Sequence, residues 1–150
     1  MVAMFTWIAE SDMDRFDKFD LLTCFALSDY DSRIRANATI AAMLLPDISA
    51  GHRLQLTAAI LVAANADERV RRASTISLTS DYSTAEQVDR DRLALSLLRL
   101  LQSPSEADQR NGLFELRKIQ PVPATCVVAV EAMCAAGRTP LACDLLKEQR

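Results

Sequence analysis

The octapeptide Asp31-Ser32-Arg33-Ile34-Arg35-Ala36-Asn37-Ala38 returns as Asp67-Glu68-Arg69-Val70-Arg71-Arg72-Ala73-Ser74, and matched positions are 36 apart (67 − 31 = 36; 71 − 35 = 36). Each copy opens on an acid and carries two arginines around a β-branched apolar residue, followed by small side chains. Self-similarity at such a period marks an array of helical units that bury their faces only by stacking on one another. Composition agrees. Half of the 150 residues are hydrophobic but only 5% are aromatic, and three glycines with five prolines leave little material for hairpin turns. Close-packed helices are favoured over a sandwich or barrel, and the chain is long enough to bury a real core.

Outward from the repeat, the apolar period lays out the chain. Residues 12–27 read as a helix with Phe16, Phe19, Leu22 or Thr23, and Ala26 on one face. The first copy of the octapeptide opens a second helix that Pro46 stops, with Ile34, Ala38, Ala41 and Leu45 as its inner stripe. The segment 47–49 caps a third helix, and Asp67 caps the second copy, where Val70, Ala73, Ser77 and Leu78 face inward. Residues 80–83 read as a polar break, and Ser83-Thr84-Ala85-Glu86 as a capping box for a long helix striped by Leu93, Leu97, Leu100 and Leu101. Ser103 then reads as an N-cap with Pro104 at the first helical position. The helix it starts carries Gly112 within it. Pro121 and Pro123 precede a helix over 124–136, which Gly137 ends, and Thr139-Pro140 starts a short last one. The chain divides into an apolar N-terminal segment (1–11) and units at 12–46, 47–79, 80–119 and 120–150.

The octapeptide resembles the "Asp-x-x-Val-Arg-x-x-Ala" start carried by the second helix of HEAT-like (armadillo-type) repeats. The resemblance is good in the first two units and loose in the third. It implies an all-α, short right-handed solenoid of about four antiparallel helix pairs. It also implies that Arg35 and Arg71 act as staples, bridging to the turn acid of a neighbouring unit, a task suited to a planar, multi-donor guanidinium.

Charge and residue types bound the chemistry. The formal charge is −3, yet residues 1–31 hold seven acids against Arg15 and Lys18 (2 − 7 = −5), which leaves +2 for the remainder. That balance argues against a nucleic-acid binder held by bulk electrostatics. Nucleic-acid binding stays as the alternative, because HEAT-like folds include DNA glycosylases with a basic concave face. His52, the single histidine, lies at a helix start and reads as exposed; one imidazole cannot build a histidine-rich metal site or serve a distant nucleophile. The glycines are isolated, so no phosphate loop forms, and Asp89/Asp91 and Glu106/Asp108, two apart, diverge on a helix. No catalytic, cofactor or metal residues are assigned. Cys24, Cys126, Cys134 and Cys143 show no Cys-x-x-Cys spacing and read as packing thiols, with a disulfide or a redox role as the lesser alternative. The N-terminal residues lack a signal-peptide pattern and no apolar run approaches the ~20 residues of a membrane span, so a cytoplasmic setting is expected.

The expectation is therefore a non-catalytic adaptor or regulatory subunit that binds a protein partner along its second helices. Arg33, Arg69, Arg72, Arg110, Arg117 and Lys118 are the candidate contacts, because stacking would bring equivalent positions side by side. Phe5, Trp7 and Ile8 need cover, either as a cap folded over the first unit or as a docking contact.

Overall fold

The computed structural model describes residues 2–149, and side-chain surroundings for residues 4–149. Ten α-helices and no strand occur among them: α1 (Val2–Glu10), α2 (Arg15–Ser28), α3 (Ser32–Met43), α4 (Ala50–Val62), α5 (Glu68–Ser74), α6 (Leu78–Thr84), α7 (Gln87–Leu101), α8 (Glu106–Leu116), α9 (Ala124–Ala135) and α10 (Pro140–Glu148). They gather into two compact units, Met1–Ala85 and Glu86–Arg150.

In the first unit, α3 packs against α1, α2 and α5, and α4 packs against α5 and α6. Phe19, Leu22 and Ala26 of α2 meet Ala36, Ala38 and Ala42 of α3, where small side chains allow close approach. Ile34 and Ala41, expected inside, are only partly buried against this core. Phe16 is exposed. It stacks on His52 at 5.4 Å, and Phe19 meets the same ring at 5.9 Å. His52 is therefore half-buried rather than exposed, with Nδ1 2.6 Å from Ser49 Oγ.

The N-terminal segment is a helix. Phe5 and Ile8 enter the core, and Phe5 meets Phe25 edge-on at 5.6 Å. The carbonyls that α1 leaves unpaired at its end are met by side chains. Ser11 Oγ donates to Ile8 O at 2.7 Å, and Lys18 Nζ to Ala9 O at 2.7 Å.

The second octapeptide departs from the sequence reading. Asp67 caps α5 as expected, accepting from Val70 N, but the helix stops at Ser74 and resumes as α6. Thr57 Oγ1, from α4, donates to Ser74 O at 2.6 Å, while Leu78 N turns to Thr75 O instead of that carbonyl. Ser74 and Thr75 hydroxyls also bond back to Arg71 O, a habit that bends helices. The segment 80–83, expected as a break, is consequently helical.

In the second unit, α7 packs on α8 and α9, and α9 on α10. Leu93, Leu97, Leu100 and Leu101 of α7 are buried as expected, together with Leu113, Leu116, Val130 and Leu145. Gly112 is the point of close approach: a Cβ there would lie 3.1 Å from Leu100 Cβ and 3.1 Å from Leu101 Cδ2.

Two helix starts differ from expectation. The capping box at 83–86 does not form, since Ser83 Oγ donates to Ser80 O and Glu86 caps α7 without a side-chain bond. The cap of α8 is Ser105, accepting from Asp108 N. Ser103 instead donates to Asp108 Oδ2 at 2.7 Å.

Gly137, at φ 68°, follows α9, and Thr139-Pro140 starts α10. The reading of four packing thiols is corrected here. Cys134 and Cys143 form a disulfide joining the end of α9 to α10, with Cα atoms 4.8 Å apart. Cys126 does pack as a buried thiol; burial pushes it above the ordinary thiol range, and Sγ lies 3.5 Å from Ala94 O.

Candidate interaction surface

The repeat motif builds a latch before it builds a surface. Arg35, 6% exposed, donates from Nη1 to Asp29 O (2.7 Å) and Tyr30 O (3.1 Å), both in the α2–α3 turn. Its Nη2 donates to Asn65 O at 2.7 Å, in the α4–α5 turn. Asn65 returns a bond from Nδ2 to Leu27 O at 2.9 Å. Ser32 also bonds the Asp67 carboxylate, which that bond, the Val70 amide and the Arg35 charge hold below the usual carboxylate range against the opposing effect of burial. The guanidinium thus ties successive turns together, through carbonyl oxygens rather than a turn carboxylate.

Arg71 has no such set of bonds. Among the described residues its Nε, like that of Arg35, is buried without a hydrogen-bond partner. A second latch, not foreseen from the sequence, joins α4 to α6. Arg53 Nε and Nη2 reach Asp81 Oδ1 at 2.9 and 2.8 Å, Nη1 donates to Ile48 O, and Ser77 Oγ donates to Asp81 Oδ2. Nothing in the local pattern around Arg53 signals a partner 28 residues away.

With Arg35 committed inward, α3 and α5 leave a hollow of about 550 Å³ between their outer faces. Asn37 and Ile40 line one wall; Arg69, Arg72 and Ile76 line the other. Ile40 and Ile76 are 37% and 55% exposed and are themselves 36 residues apart (76 − 40 = 36). The same repeat that locates the arginines could therefore have located these apolar positions. Across the Asn37–Ile40 ridge lies a second hollow of about 310 Å³ between α1 and α3, reaching Leu44 and Phe5.

The candidate residues fall in different settings. Arg69 and Arg72 come together in the α3–α5 hollow, where Arg72 pairs with Glu68 of its own helix. Arg33, 70% exposed, turns back to its own N-cap acid, Asp31, at 3.2 Å. That contact holds the Asp31 carboxyl below its ordinary range. In the second unit, Arg110 is exposed beside a separate hollow, Arg117 is exposed at the end of α8, and Lys118 pairs with buried Glu115 at 3.0 Å while lying over the Phe114 ring. Phe5 and Ile8 are core residues; Trp7 remains 68% exposed.

Among the described residues, no helix is long and apolar enough to cross a membrane. Comparison with protein-family models, with curated proteins and with solved structures returns no match. Fold and surface together define an all-α protein of packed short helices in which the first copy of the repeated segment carries a buried latch and the two copies line a mixed apolar–basic hollow.

Proposed function

We propose that the chain is a short α-solenoid of HEAT-like repeats acting as a non-catalytic adaptor or regulatory subunit, with a protein partner seated on the outer faces of its second helices. Two features support the repeat reading. Asp31 and Asp67 cap equivalent helices, and Arg35 bonds the turn of the following unit. The observation that carries the binding reading is the α3–α5 hollow. Exposed Ile40 and Ile76 offer apolar contact there, and Arg69 has no carboxylate within ion-pair distance among the described residues. Apolar anchors beside a free guanidinium suit an acidic-apolar segment, the guanidinium supplying orientation and the isoleucines the buried area.

The test is affinity capture followed by mass spectrometry, with the parent compared against Arg69→Glu and Ile76→Asp. Both residues are exposed, so the helical signal should be retained. A partner bound by the parent and lost at least tenfold in both variants is the expected result; Asp17→Lys on α2 should leave it bound. Equal capture by all three variants removes the α3–α5 hollow as the site. Capture abolished by nuclease would replace the protein partner with a nucleic acid.

A further inference from the structure

A different hollow, of about 330 Å³, lies wholly within the second unit, between the start of α8 and the turn that leads from α9 to α10. Two guanidiniums, Arg110 and Arg138, come to it from separate elements. Neither has a carboxylate within ion-pair distance among the described residues, although Glu106 stands on the same wall, one helical turn before Arg110. Thr139 adds a hydroxyl that makes no capping bond to its own helix. Gln109, also in the lining, is already committed through Nε2 to Ser103 O at 2.7 Å. Pro104 and Pro140 restrict the backbone at two points of the lining, and the Cys134–Cys143 disulfide closes the segment that carries Arg138 and Thr139.

The geometry points to a site for a phosphate monoester carried on a partner's serine side chain, held between Arg110 and Arg138 with Thr139 as a third donor. Two unpaired guanidiniums lining one hollow match an oxyanion of charge about −2 better than a single carboxylate, and outnumber the one acid, Glu106, in the lining. The size is at the small end for ligand sites and is enough for a phosphorylated side chain. Glu106 sets a condition on the ligand. Its carboxylate opposes any phosphate dianion, free or peptide-borne, so the peptide is favoured by the contact its backbone and flanking side chains add against Pro104 and Pro140 of the lining, which inorganic phosphate cannot make. This site is independent of the α3–α5 surface, and its failure leaves that reading untouched.

The experiment titrates the full chain, by amide NMR shifts, with acetyl-Ala-phosphoserine-Ala-amide, its unphosphorylated counterpart and inorganic phosphate. The phosphopeptide should shift amides around residues 106–110 and 138–141, with tighter binding than inorganic phosphate and none from the unphosphorylated peptide. Arg110→Ala and Arg138→Ala should each weaken it at least tenfold, the loss expected for one charge-assisted contact. Arg117→Ala removes the same charge from the other end of α8 and should change affinity less than twofold. An equal loss in Arg117→Ala overturns the proposal in favour of general surface charge. So does a phosphopeptide that binds no better than inorganic phosphate, or shifts scattered away from the hollow.

Discussion

Replacing Arg35 by alanine should cost the first unit about 3 kcal/mol. The side chain makes three charge-assisted bonds to carbonyls, two at 2.7 Å and one at 3.1 Å. Such bonds are worth roughly 1.5–3 kcal/mol each when one partner is removed. Simple addition overshoots, because Tyr30 and Asn65 are exposed and their carbonyls can recover water once the guanidinium is gone. The Asp29 carbonyl and the space left by a nearly buried stem cannot be repaired so easily. Arg35→Lys keeps the charge but loses the fork that reaches two turns at once, and should cost about 1–2 kcal/mol. Urea denaturation followed by far-UV circular dichroism measures both. At this chain length the alanine loss corresponds to about 6–12 °C in Tm. A loss below about 1 kcal/mol for Arg35→Ala, or a lysine variant as stable as the parent, would refute the latch.

Asp81, 1% exposed, accepts from both Arg53 and Ser77, so Asp81→Asn should cost about 2–4 kcal/mol in the same assay, and a change within about 0.5 kcal/mol would contradict the second latch. The Asp67 carboxyl has its pKa lowered in the folded chain, so its contribution is complete above the unfolded value and lost as pH falls through the folded one; as pH falls below the ordinary carboxylate range the parent should lose more stability than Asp67→Asn, which keeps the helix cap but does not titrate. Parallel acid curves would show that Asp67 carries no such share. Gly112→Ala gains about 1 kcal/mol of helix propensity but sets a Cβ 3.1 Å from Leu100 Cβ, an atom its backbone holds in place; a net loss of about 1–2 kcal/mol is expected, and thermal melting of a more stable variant would show that α7 and α8 can separate freely.

The helical content and most helix limits were legible because they rest on local signals: the acid caps at Asp31 and Asp67, the leucine stripe of α7, and Gly137 with Thr139-Pro140 around the last turn. What escaped was decided by distant groups. The break after Ser74 depends on a hydroxyl from Thr57, and no window over 67–84 contains it. Ser103 and Ser105 both carry capping chemistry, and Ser103 was drawn instead to Asp108. The cysteine pairing needed the fold of α10 against α9, since a spacing of nine residues alone specifies nothing. In the surface, the arginines were legible by repetition but their partners were not: Arg33, Arg72 and Lys118 turn to acids within their own segments, whereas Arg69 and Arg110 do not.

The Cys134–Cys143 bond also fixes what happens when the chain is cut. Arg138 is exposed in the span the bond encloses and is followed by threonine, so trypsin has a scissile bond there. Cleavage after Arg138 would divide the polypeptide into residues 1–138 and 139–150 without releasing either piece. Nicked and intact chains would run together on a non-reducing gel, and only a reductant would free the short fragment that carries α10. A nick at this turn therefore marks the oxidised protein with a latent scission, silent until the sulfurs part.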